Sequence, residues 1–176
     1  MMIDFTTIDY LKNGNERQQR AYEVLTKYQV FPKLKHYSPV LAGTIPIGID
    51  IEGSDLDIIC EVDLRFEEDF LDELMFSRII PADEEATVER IKVRGEESIV
   101  INFRLEEFPV EIFGQNRPSL AQNAYRHMMA EYRILRDEGE EFKQKIIELK
   151  KQGIKTEPAF GMLMGLDNPY EDLLKF

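Results

Sequence analysis

The sequence predicts an α+β protein built on a mixed, largely antiparallel sheet of about five strands flanked by helices, with a helical C-terminal part. Three observations carry that prediction. Residues 87–105 alternate in character with period two around a turn at Gly95-Glu96, which reads as an antiparallel hairpin. Two short apolar runs before it, around Leu41 and Ile58, are bounded by turn residues and read as buried strands. Behind Pro118 the spacing becomes helical and stays so.

The elements follow in order. From Asn15, a plausible N-cap, NERQQRAYEVLTKYQVF places Ala21, Val24, Leu25 and Tyr28 at helical spacing, and Pro32 is expected to close the helix. Pro39 to Ala42 reads as a short strand ending at Gly43, and Asp55 to Val62 as a second. Phe66 to Phe76 carries Phe66, Phe70, Leu71, Leu74 and Met75 as the apolar side of a helix with an acidic outer face. The hairpin comes next, and FPVEIFG supplies a third strand to this meander after the turn at Glu106-Glu107. In the long helical stretch after Pro118, Gly139 is a weak point and Gly153 a stop. The tail offers two short helices separated by Gly165 and Asn168-Pro169.

Composition narrows the function classes. The chain has 176 residues, enough for one domain with a proper core, and 43% are hydrophobic. No apolar run is long enough for a membrane span, and the first residues lack the basic start of a secretory signal. Cys60 is the single cysteine, so no internal disulfide or zinc cluster forms, and a cytoplasmic location is expected. The net charge of −12 opposes nucleic acid, whose binders gain affinity from Lys and Arg.

One stretch calls for a special explanation. Asp55 and Asp57 share a strand face, because strand side chains alternate. Two carboxylates that close repel, and a divalent cation is the usual means of keeping both ionised. Glu111 is a lone acid inside the apolar strand Pro109-Val110-Glu111-Ile112-Phe113. Three acids from two strands make a hard oxygen site suited to Mg²⁺ or Mn²⁺. Alone, an Asp-x-Asp after Gly53-Ser54 is most often a solvated turn. Gly43-Thr44, a small-residue turn able to offer N–H groups and a hydroxyl to phosphate, changes that balance.

Together, Ala42-Gly43-Thr44, Asp55-Leu56-Asp57-Ile58 and Val110-Glu111-Ile112 resemble the signature of the polymerase-β-like nucleotidyltransferase superfamily. The form GTIPIGI, EGSDLDII and VEIFGQ, followed by AYRHMMAEYRIL, resembles a family of small bacterial proteins within it that carries no known substrate. The resemblance implies one nucleotidyltransferase-like domain over 1–176, with a catalytic core of about 15–114 and a helical extension of about 115–176. It implies that Asp55, Asp57 and Glu111 are metal ligands and catalytic residues, with Mg²⁺ or Mn²⁺ as cofactor. It also implies that Gly43 and Thr44 hold the triphosphate, with Ser54 counted among the nucleotide-binding residues. Three departures stand out: Thr44 replaces the commoner Ser, Glu111 the commoner Asp, and Ile45-Pro46-Ile47-Gly48-Ile49 is a poor start for the helix that usually follows.

The expected activity is transfer of a nucleoside monophosphate from a nucleoside triphosphate to a hydroxyl of a small molecule or protein, without nucleic acid or membrane as partner. The alternatives are a non-catalytic nucleotide-sensing or partner-binding module, and pyrophosphate transfer to a guanine nucleotide. Arg126, Arg133 and Arg136 are expected to pair with surface acids, with steering of an anionic substrate as the alternative. His127 is expected to be packed or solvated, and Met128, Met129, Met162 and Met164 to fill the core.

Overall fold

The computed structural model describes residues 2–176. Helix α1 spans Glu16–Lys27 and starts in a capping box: the Asn15 side chain accepts from the Gln18 N–H, and the Gln18 side chain accepts from the Asn15 N–H. It buries Ala21, Val24 and Leu25, as the spacing predicts. Pro32 does not close it. The chain leaves at Tyr28 through Gln29, whose φ is 53°, and Pro32 lies in a four-residue helix α2, Val30–Lys33. A missing N–H costs nothing in a first turn, where it has no intrahelical partner.

The strands are β1 Val40–Ala42, β2 Leu56–Glu61, β3 Thr87–Val93, β4 Glu96–Leu105 and β5 Phe108–Gln115. Between β2 and β3 lies helix α3, Glu67–Phe76. The sheet order is β1-β2-β5-β4-β3; β2 and β5 are parallel and the other neighbours antiparallel. The fold is therefore α+β with a five-stranded mixed sheet, as predicted. Edge strand β3 is almost wholly exposed, and its Glu89, Arg90 and Lys92 discourage pairing with another chain.

Alternation along the strands divides the core between two faces. Leu56, Ile58, Ile101, Phe103 and Ile112 pack with α1 and α3 on one face. Within α3 only Phe70 and Leu74 are buried; Phe66 is 59% and Met75 53% exposed, contrary to expectation. Phe66 belongs to the 3-10 turn preceding the helix and does not keep its phase, and Met75 is turned one position away from Leu74. The other face is covered near β1 by helices α4 Asn123–Glu138, α5 Glu140–Lys151 and α6 Thr156–Met164, and α7 follows at Pro169–Asp172. Gly139, at φ 86°, fully separates α4 from α5 rather than only weakening one helix. Val40, Ala42 and Ile59 meet Met128, Leu135, Ile146 and Phe160 there, while Met162 is 61% exposed. Among the described residues no helix is long and apolar enough to cross a membrane.

Gln18 ties α1 to the loop after β1, because its Nε2 donates to the carbonyls of Ile45 at 2.9 Å and Pro46 at 3.1 Å. Gln18→Ala removes these bonds together with half of the capping box. We expect a loss of roughly 1–3 kcal/mol in a urea titration; an unchanged midpoint would show that the loop is held by burial of Ile45 and Ile47 alone.

Candidate functional site

The parallel register of β2 and β5 pairs Asp57 with Glu111, and parallel partners point to the same face. Asp55, two residues before Asp57 and one before the start of β2, reaches the same place from the turn. One carboxylate oxygen from each of Asp55, Asp57 and Glu111 lies within 4.8 Å of the others. The sequence thus identified three acids that the fold does bring together. No lysine or arginine forms an ion pair with any of them among the described residues.

Gly43 makes room for this cluster. It ends β1, which pairs Ala42 with Asp57, and its φ is 84°. A Cβ there would sit 2.3 Å from Asp57 Oδ2, closer than any real contact. The position therefore requires glycine twice, for backbone conformation and for space. After Thr44 no helix starts: the Ile49 N–H donates to Thr44 O and the Gly48 N–H to Ile45 O, folding the segment into turns. Ser54 Oγ accepts from the Ile51 N–H at 2.9 Å, so this hydroxyl shapes the turn that delivers Asp55.

The electrostatics follow from crowding in a half-buried place. Burial, with Glu111 and Asp55 adding to it, pushes the Asp57 carboxyl up to about 8, although the charge of Lys150 opposes the rise. Burial also raises Asp55, and burial followed by Asp55 and Glu89 raises Glu111. Three oxygen donors that resist ionising together, with no ion-paired cation of their own, suit a hard divalent ion. Cys60 faces the opposite core and burial pushes its thiol up to about 12, so it is inert.

The acids open into a cavity of about 1260 Å³ between the sheet and the C-terminal helices. Gly43, Thr44 and Ser54 line it on the strand side, and Gln122, Arg126, Glu131, Lys150 and Glu157 on the helical side. Arg126 lines the cavity and forms no ion pair among the described residues, whereas Arg133 donates to Phe176 O and Arg136 pairs with Asp137. His127 is mostly buried at the cavity wall, and its Nε2 lies 2.7 Å from Tyr170 O. Sequence reasoning missed Glu131 and Lys150. Their signal was present: Glu131 interrupts the apolar stripe of Met128, Ile134 and Leu135, and Lys150 follows Ile146 by one turn.

Residues 23–176 match the family described as "Domain of unknown function (DUF4269)", and the chain belongs to that family. No curated protein shows a significant sequence match to it. Among solved structures it resembles Cid1 poly(U) polymerase with Mg 3′-dATP bound, with a TM-score of 0.55 and 14% identity over 94% of this chain and 52% of that one. It also resembles the GLD-2/RNP-8 complex structure, with a TM-score of 0.54 and 15% identity over 89% of this chain and 61% of that one. A further Cid1 structure, with MgGTP bound, gives a TM-score of 0.51 at 15% identity over 81% of this chain and 46% of that one. The fold is thus nucleotidyltransferase-like, and the chain spans about half to three-fifths of the length of these neighbours.

The raised Asp57 carboxyl gives the metal-free protein a definite pH dependence. Its folded value of about 8 lies above the ordinary 3.8, so the folded state holds a proton that the unfolded state has lost. This stabilising contribution is complete below the ordinary value and disappears as pH rises through the folded value. In chelator-treated samples, wild type should lose up to about 1.4 kcal/mol per pH unit relative to Asp57→Asn between about pH 5 and pH 8. Parallel urea-midpoint profiles for the two proteins would contradict this environment for Asp57.

Proposed function

We propose that the protein is a metal-dependent nucleotidyltransferase acting on a small-molecule or protein hydroxyl. The observation that carries the reading is the convergence of Asp55, Asp57 and Glu111 beside the Gly43-Thr44 turn, in a fold shared with nucleotidyltransferases. Asp55, Asp57 and Glu111 hold Mg²⁺ or Mn²⁺ in this reading. The neighbour Cid1 is described with Mg 3′-dATP and with MgGTP, which fits a nucleoside triphosphate as donor. The bound metal supplies charge neutralisation for the triphosphate and lowers the pKa of the acceptor hydroxyl.

The protein's own part is positioning. Gly43 and Thr44 present backbone and hydroxyl to the β- and γ-phosphates, and Ser54 keeps the Asp55 turn in place. Glu111 orients the acceptor side and Asp57 the centre, so attack and departure are in line. The acceptor oxygen forms a bond to the α-phosphorus and its proton goes to solvent. The bond to the bridging oxygen breaks, and pyrophosphate leaves with the electron pair.

The acceptor is small or proteinaceous rather than a nucleic acid. Cid1 is described as a poly(U) polymerase, but this chain carries a net charge of −12. At the cavity rim, Arg117 is already paired with Glu96 and Arg94 with Glu171. Arg126, Lys150 and Lys155 also line the cavity without ion pairs among the described residues, too few cations to track a phosphate backbone against the net negative charge. A cytoplasmic location fits the single buried thiol.

Titration with a nonhydrolysable triphosphate and Mg²⁺, alongside turnover, tests the division of labour. Asp57→Asn should lose both nucleotide binding and transfer. Glu111→Gln should keep most binding while transfer falls about 100-fold or more. Metal-independent binding with no transfer in wild type would favour a non-catalytic nucleotide-sensing module. Weak binding with normal turnover in Glu111→Gln would overturn the assigned roles.

A further inference from the structure

The helical wall of the cavity holds charge that the proposed chemistry does not use. Glu131 on α4 is only 3% exposed, yet its carboxylate makes no hydrogen bond or ion pair among the described residues. It lines the cavity, as do Lys150 and Glu157. Lys150 is 7% exposed; its Nζ donates to Ile49 O at 2.8 Å and forms no ion pair among the described residues. His127 does not satisfy this group either. A carbonyl only accepts, so Nε2 donates to Tyr170 O, and Nδ1 stands 3.8 Å from Glu157, too far for a hydrogen bond.

A buried carboxylate without a partner is costly, and a cation that also brings N–H donors relieves the cost best. Burial holds the Glu131 carboxyl well above the usual carboxylate range, with Glu157 adding to the rise and Lys150 opposing it. Lys150 is engaged with Ile49 O and lies outside ion-pair distance of Glu131, so it does not pair with this group. A cationic donor favours the ionised carboxylate by pairing with it, whereas a neutral polyol supplies donors without charge.

We propose that Glu131 anchors a protonated amine of the acceptor, making the acceptor class a hydroxylated amine such as an amino alcohol or amino sugar. Glu157 adds to the field, and Lys150 keeps the wall from repelling the outgoing nucleotide product. The amine binds at the helical wall while the hydroxyl points across the cavity toward Glu111. The inference rests on reading the cavity as a nucleotidyl-transfer site, but the ammonium-binding step needs neither metal nor nucleotide.

The test is metal-free ligand titration followed by thermal unfolding, using matched pairs: glucosamine with glucose, serinol with glycerol, and ethanolamine with ethylene glycol. Sodium chloride equalises ionic strength within each pair. At least one ammonium member should stabilise wild type while its hydroxyl counterpart does not. Glu131→Gln should weaken that binding about tenfold or more, and Glu131→Asp should recover part of it. The stabilisation by MgATP should be the same in wild type and Glu131→Gln, which also shows that the variant folds. If no ammonium member exceeds its counterpart, or Glu131→Gln binds as wild type does, the proposal is wrong. If Glu131-dependent ammonium binding appears without any Mg-dependent nucleotide binding, the amine site stands and the nucleotidyl-transfer reading falls.

Discussion

Placing a carboxylate inside a protein beside two others is the constraint on which this structure turns. Asp57 lies between the end of β1 and the middle of β5, and ordinary burial would drive it to neutrality. Everything around it keeps it there. The parallel register puts Glu111 level with it, Gly43 leaves room against Oδ2, and the Ser54 turn brings Asp55 alongside. Such an arrangement is unfavourable in isolation, and carboxylates gathered in this way suit a divalent ion as their counter-charge.

The two faces of the sheet explain how one region can be both packed and open. On the face toward α1 and α3, aliphatic and aromatic side chains fill the space without interruption. On the opposite face, α4, α5 and α6 cover β1 and the Ile59 end of β2 and then stand away from the acids. The cavity is the gap between strand ends that carry carboxylates and helices that carry Glu131, Lys150 and Glu157. The helical segment is therefore part of the candidate site, not an appendage to it.

Much of this was legible in the sequence, because strand and helix periods are strong local signals. Asn15 announced α1, the alternation of residues 87–105 gave the hairpin, and Asp55, Asp57 and Glu111 stood out as acids in apolar strands. What could not be read depended on three-dimensional neighbours. Pro32 looks the same in a helix-ending position as in a first turn, and Phe66 and Met75 look apolar whether or not anything covers them. The places of Glu131 and Lys150 beside apolar stripes hinted at burial, but only the packing of α4 and α5 on the sheet shows that they are buried at the cavity. Only the folded chain shows that Gly43 is demanded by Asp57, since the two are separated by a loop.

The central claim is that the three carboxylates are a metal centre for a nucleotide. The most direct measurement is anomalous diffraction from crystals grown with Mn²⁺ and a nonhydrolysable nucleoside triphosphate. The account predicts manganese peaks enclosed by Asp55, Asp57 and Glu111, with the triphosphate running from them to the Gly43-Thr44 turn. Manganese found only elsewhere, or a nucleotide bound away from these carboxylates, would contradict it.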